Sequence, residues 1–490
     1  MRRHIRHAIA ITAVATALTG GLLAFPGTQA EAAGTGPAPS RYSDDFNGDG
    51  YHDLAIGAPD ASVNVTGTDG ATAAVGKAGY ITVSYGGKSG AQKTGLKAVT
   101  QNSPGVPGDA AQGRGFGQVL TSGDFNADGY ADLAVGTRDE QVILLWGSAT
   151  GLKGGTAMAD PQNLSGYGVV LKAGDFTGDG KTDLVVGYST SLRLFRGPFT
   201  ADGAPVSTKK LDLGRKYPVF LPGDAQNRIA VGRINKGSID DLVVLFGSVH
   251  PVRPGDVRER GRVLLGSPSG PRFSPVTIRG GNSVAIADFD KDGYGDIAVG
   301  DAETQIDTEA AAGLVRVNFG SADGVDENRS MRTFNEDTPG IPGGVDKGDR
   351  FGSAVAAADL NLDGYPELVV GAPGERKSTC EHCYISGGGF YVLKGTSKGV
   401  TGSGATWYAH NAPGLPRPAG TYRIPSQLKV TDLNNDKQPE ITIPVQASGP
   451  EVWSVGTKSG KVAGTSTTRV VKPPVASHVG TGSEFGVLVR

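Results

Sequence analysis

The chain has 490 residues and a net charge of −2, from 47 Lys and Arg against 49 Asp and Glu, which excludes a polycationic nucleic-acid binder and an acidic-tail protein. Its 77 Gly and 29 Pro lie well above average usage but follow no three-residue period, so collagen is excluded as well. The 38% hydrophobic content is enough for a core, and so many chain-turning residues suit short strands joined by turns better than disorder or long helices.

In chain order, residues 1–32 read as an export signal. Arg2, Arg3 and Arg6 form a basic start, Ala8 to Leu23 an apolar stretch, and Ala30-Glu31-Ala32 a small-x-small cleavage site. A stretch of 16 residues falls short of the ~20 needed to span a bilayer, and no later segment is apolar enough to span. The expected product is a secreted, extracellular, monomeric chain, with residues 33–490 forming the fold.

One segment then recurs seven times, starting near 45, 124, 175, 233, 288, 359 and 432, of which the copies at 233 and 432 are degenerate. Repetition at this scale is the signature of a repeat architecture. Each copy leads into an alternating β-rich run that ends in a Gly-x-x-x-Gly turn, as in Val142 to Gly151 and Phe390 to Gly399. A third element precedes the Asp-rich segment: Phe116-Gly117, Tyr167-Gly168 and Phe351-Gly352, each followed by a short apolar strand. The first unit has no such strand, and an unaccompanied one stands at 485–489. An all-β, seven-bladed β-propeller is therefore predicted, with strand 485–489 completing the first blade; radial repetition of this kind leaves only short sheet edges.

The Asp-rich segments carry the chemistry. In Asp288, Asp290, Asp292 and Asp296 the side-chain oxygens fall at positions 1, 3, 5 and 9, Tyr294 at position 7 offers its carbonyl, and Gly293 at position 6 permits the turn. Hard divalent cations take six to eight oxygens, and Ca²⁺ tolerates such irregular geometry. The same positions are Asp45, Asn47, Asp49, Tyr51 and Asp53; Asp124, Asn126, Asp128, Tyr130 and Asp132; Asp175, Thr177, Asp179, Lys181 and Asp183; and Asp359, Asn361, Asp363, Tyr365 and Glu367. Five Ca²⁺ sites are expected on this pattern. A sixth loop, Asp432, Asn434, Asp436, Gln438 and Glu440, keeps its oxygens but has Lys437 where Gly is expected. The copy at Arg233, Asn235 and Gly237 has lost its carboxylates at positions 1 and 5 and is expected to be metal-free. An EF-hand is ruled out by the twelfth position, where Ile56, Val135, Val186, Val299 and Val370 replace the bidentate Glu. Solvated Asx turns are the plainer alternative, but several like charges within nine residues repel one another when no cation is bound. Filling six loops would turn the mature chain into a basic particle, suited to an anionic polymer or surface.

Phe-Gly before the strand, Asp-x-Asn-x-Asp-Gly-x-x-Asp in the loop and Gly57-Ala58-Pro59 or Gly371-Ala372-Pro373 after it resemble the FG-GAP repeat of the integrin α-subunit N-terminal propeller. The resemblance implies a seven-bladed propeller with calcium in the loops of one face and a ligand, whether polymer, cell-wall component or protein, on the other. It also implies an adhesion or recognition role, without the leg domains or transmembrane helix of integrins. Similar repeats accompany some secreted phospholipases and esterases, so a hydrolase is the alternative. Gly395-Thr-Ser397-Lys-Gly399 matches Gly-x-Ser-x-Gly, but it falls where other repeats have a hairpin turn such as Gly147 to Gly151. With only seven His there is no evident triad, and the chain is expected to be non-enzymatic.

Two further groups stand out. In an oxidising compartment Cys380 and Cys383 are expected to form a small-loop disulfide ahead of a redox or metal centre. The 248–262 connection, on the face opposite the Asp loops, carries Arg253, Arg258, Arg260 and Arg262, which are candidates to pair with carboxylate or phosphate groups or to form a solvated loop.

Overall fold

In the computed structural model seven antiparallel sheets of four strands follow one another along the chain. The residues described are 43–66, 70–213, 225–246, 260–375, 388–410, 412–416, 427–446, 450–464, 469–472 and 487–488, all within the unit Pro37–Arg490. Blade 2 is typical: Val119–Gly123, Asp132–Gly136, Val142–Leu145 and Gly155–Ala157 pair in that order. Blade 1 has the order Val487–Leu488, Leu54–Ala58, Tyr80–Ser84, Lys97–Val99. Its first strand comes from the far end of the chain, with Leu488 opposite Ile56 and Val487 opposite Gly57. The fold is thus an all-β, seven-bladed propeller whose C-terminal strand closes the first blade. Lys429 of blade 7 adds a side-chain link across the closure by donating to Asp44 at 2.8 Å.

The core lies between blades. Seven apolar clusters each draw on two neighbouring sheets: Leu120, Leu133 and Ile143 of blade 2 pack with Ala55, Ile81 and Val83 of blade 1, and Leu433, Val452 and Val471 of blade 7 pack with Leu54, Ile56 and Tyr80 of blade 1. The second strand of each blade is buried along most of its length, for instance Leu133, Ala134 and Val135 at 0% exposure. That explains why these strands read as continuous apolar runs without alternation.

The Phe-Gly dipeptide has a steric reason. Gly352 sits at φ +89°, and a Cβ there would meet Leu314 O of the preceding blade at 2.5 Å; a Cβ on Gly300 would meet Gly352 O at 2.1 Å. The two backbones touch, and only glycine permits both the left-handed φ and the contact.

The structure adds what the repeats did not advertise. Each blade carries an outer strand, such as Ser207–Lys210, and the 57–80 connection holds its own hairpin, Val63–Thr66 with Thr72–Val75. The 248–262 arginines need correction: Arg260 and Arg262 belong to strand Arg260–Leu265 of blade 4. Arg262 is buried in that strand, its guanidinium carbon 5.4 Å from the Phe273 ring centroid, because the third strand begins three residues before its apolar run. Arg253, Arg258, Cys380 and Cys383 lie outside the described residues.

Candidate metal centres in the Asp-rich loops

Each Asp-rich segment leads into the second strand of its blade, and from blade 2 onward it joins that strand to the first; one hydrogen-bond scheme recurs. In blade 1 Asp45 accepts from the N–H groups of Gly48, Asp49 and Gly50 at 2.7, 3.1 and 2.9 Å. Asn47 Oδ1 accepts from Asp49 N at 3.0 Å, and Asp49 Oδ1 from Tyr51 N at 3.0 Å. These are Asx turns in series, and they fix the side chains of positions 1, 3 and 5 against the loop backbone. Position 4 is left-handed in every copy, at φ +60° in Ala127, +63° in Lys236, +61° in Lys291, +62° in Leu362 and +59° in Asn435. In the six acidic loops position 6 is left-handed too, and Lys437, standing where the other five have Gly, adopts φ +71°. The sixth loop therefore keeps the shape of the rest despite the substitution.

Position 9 does something different. Asp53 is fully buried, accepts from Phe46 N at 2.8 Å within its own loop, and accepts from Gly86 N at 2.8 Å at the end of the third strand. Asp132 does the same with Phe125 and Gly147, Asp183 with Phe176 and Gly197, and Asp296 with Phe289 and Gly320. The ninth carboxylate ties the Asp loop to the Gly-x-x-x-Gly turn, which puts both on one face. Asp241 makes the same clamp in blade 4, where the acids of positions 1 and 5 are missing. The repeats display this residue, yet its bracing role went unread because position 9 also reads as a ligand.

The donors are all oxygens, as a hard cation requires, and in blade 5 one oxygen each from Asp288, Asp290 and Asp296 lie within 4.8 Å of one another. The Asp53 oxygens, each with one backbone partner, keep a second lone pair. Burial, reinforced by the neighbouring loop carboxylates and opposed by the backbone donors, pushes Asp53 and Asp132 up to about 8. The same causes push Asp296, Glu367 and Glu440 up to about 7 and Asp183 up to about 6. In the metal-free loops the ionised ninth carboxylate is costly, which is the condition a divalent cation relieves. The residues present fit such an ion.

Sequence reasoning missed an acidic group on the opposite face. Glu336 and Asp349, from the connection between blades 5 and 6, meet Glu375 of blade 6, all three buried. Tyr391 Oη donates to Glu336 Oε1 at 2.8 Å. Burial first, then Asp349 and Glu375, hold the Glu336 carboxyl well above the ordinary range. The signal was present: aligning Thr338-Pro-Gly-Ile-Pro-Gly343 with Ser103-Pro-Gly-Val-Pro-Gly108 sets Glu336 against Gln101 and Asp349 against Arg114, so that this junction carries acids where the earlier one is neutral or basic. Ser397 is exposed in a turn closed by Gly399 N on Thr396 O at 2.7 Å, matching the Ser148 to Gly151 turn of blade 2.

The FG-GAP repeat matches residues 43–83 and 351–393, and the FG-GAP-like repeat matches residues 124–186, in blades 1, 6 and 2–3. The chain carries FG-GAP repeats. Among curated relatives, this FG-GAP chain is 38% identical to integrin alpha pat-2 of Caenorhabditis elegans over 135 residues, covering 24% of this chain and 10% of that protein. It is 28% identical to integrin alpha-5 of Xenopus laevis over 267 residues, covering 53% and 20%. It is 32% identical to phosphatidylinositol-glycan-specific phospholipase D of Bos taurus over 167 residues, covering 33% and 18%. The FG-GAP chain thus aligns with a fifth or less of each relative's length. No helix among its described residues is long and apolar enough to cross a membrane.

Proposed function

We propose that the chain is a secreted, calcium-stabilised binding module of the integrin-like type, whose Asp-loop face holds structural Ca²⁺ and whose opposite face meets an extracellular ligand. The observation that carries this reading is the repeated loop geometry, in which serial Asx turns hold the side chains of positions 1, 3 and 5 and a buried ninth carboxylate clamps the loop. Five loops and the Asp432 loop would each hold one ion through positions 1, 3, 5 and 9 and the carbonyl of position 7. The ion would supply the positive charge that lets the ninth carboxylate ionise while clamping the blade. Binding is favoured over hydrolysis because Ser397, the one Gly-x-Ser-x-Gly serine, belongs to an exposed hairpin turn shared with other blades.

Thermal unfolding of the purified chain with millimolar calcium and with chelator tests the reading. Ligands that bind only the folded state stabilise it by mass action, so several filled loops should raise Tm strongly with calcium. Equal melting temperatures in the two conditions would overturn the calcium reading.

A further inference from the structure

The Asp288 loop differs from its siblings at position 3. In blades 1 and 2 that position is Asn, and its amide donates to the position-5 carboxylate, from Asn47 to Asp49 and from Asn126 to Asp128, at 3.0 Å in each case. In blades 6 and 7 Asn361 and Asn434 donate instead to the ninth carboxylate at 2.8 Å. Asp290 has no hydrogen to give, and it sets a fourth carboxylate into a loop that already holds three. What answers it is an arginine from the connection between the third and outer strands of the same blade. Arg329 Nη2 reaches Asp290 Oδ2 at 2.5 Å and its Nη1 reaches Asp292 Oδ2 at 3.1 Å. The guanidinium lies over Phe319, its carbon 3.5 Å from the ring centroid, and the Asp290 side chain is 4% exposed.

The oxygens engaged are the ones an ion needs. Asp290 Oδ1 already accepts from Asp292 N, and Asp292 Oδ1 from Tyr294 N. The backbone takes one oxygen of each carboxylate and Arg329 the other. A divalent cation entering between positions 3 and 5 must displace the guanidinium or share its partners at close range, where like charges repel. In blade 3 a lesser version occurs: Arg196 touches Asp179 alone, at 2.8 and 3.2 Å, and position 3 there is the uncharged Thr177.

Resting on the calcium reading above, we propose that Arg329 is an internal counter-ion that competes with the divalent cation for the Asp288 loop, making blade 5 the last of the regular loops to fill. The arginine holds the loop in its binding shape when the ion is absent, and the aromatic face of Phe319 keeps the guanidinium close after release.

The test is a calorimetric calcium titration of the full chain, wild type against Arg329→Gln, Asp290→Asn and the double variant, with melting curves to confirm folding. Losing two charge-assisted hydrogen bonds that compete with the ion should tighten one site by about tenfold and leave the others unchanged. On the Asp290→Asn background the gain should shrink, because the two changes act on one contact, and adding Asp288→Asn to Arg329→Gln should abolish it. Should Arg329→Gln fold poorly, Arg329→Lys keeps the charge without the fork and should give a smaller gain in the same direction. Calcium binding elsewhere with no tightening, or with weakening, in Arg329→Gln and Arg329→Lys would overturn the competitor role. A wild-type chain that binds no calcium would instead overturn the reading beneath it, and this proposal with it.

Discussion

Replacing Asp241 by Ala separates bracing from metal binding. Asp241 is the ninth residue of the blade 4 loop, which lacks carboxylates at positions 1 and 5, so any effect there cannot pass through an ion in that loop. The side chain is fully buried and accepts from Ile234 N at 2.7 Å, Asn235 N at 3.3 Å and Gly266 N at 2.8 Å. Truncation leaves two short, buried N–H bonds unmade, at about 2 kcal/mol each. With an unfolding entropy of about 2.1 cal/mol/K per residue over about 450 residues, a loss of about 4 kcal/mol lowers Tm by about 4 °C. Differential scanning calorimetry should show this drop equally in calcium and in chelator. Asp132→Ala in blade 2, by contrast, should lose more in calcium than in chelator. A fall of under about 1 °C for Asp241→Ala, or a fall seen only with calcium, would refute the clamp.

Two other changes probe the opposite face and the blade junctions. A carboxyl whose pKa is raised on folding favours the folded state most below its unfolded pKa of about 4, and that advantage is lost as pH climbs toward the raised value. Glu336 is such a group. Glu336→Gln stays neutral at every pH and keeps an acceptor for Tyr391, so its Tm should match wild type near pH 4 and exceed it by about 2 °C at pH 8. A gap of the same size at both pH values would contradict the assignment. Gly352→Ala must fit a Cβ at φ +89° and 2.5 Å from Leu314 O. It should cost more than about 2 kcal/mol, read as a lowered urea midpoint, and an unchanged midpoint would mean that the blade junction yields easily.

Much of this was legible because backbone conformation wrote it locally. The left-handed φ of Gly50, Gly129, Gly293 and Gly364 favours glycine, and serial Asx turns favour Asp or Asn two residues apart, so the loops announced themselves in spacing. Ring closure was legible through the unaccompanied strand at 485–489. The outer strands were not: Ser207–Lys210 is mostly exposed, and its polar residues carry no alternation to read. Contacts made in three dimensions were also hidden. Arg329 lies 37 residues from Asp292 within blade 5, and Glu375 lies 39 positions beyond Glu336, so the first meeting depends on the pairing of strands and the second on how blades 5 and 6 are set. Arg262 misled for a related reason, since a charged residue beside an apolar run reads as loop unless the strand's true start is known.

The seven cores have one more consequence. Because each belongs to two blades, no repeat owns the apolar contacts that would let it stand alone, although the sequence is written as interchangeable modules. A fault in one core is inherited by both neighbours, and removing any single repeat would strip two interfaces at once. Such a ring is all-or-none in its mechanics: its parts copy one another in sequence, but they are stable only in company.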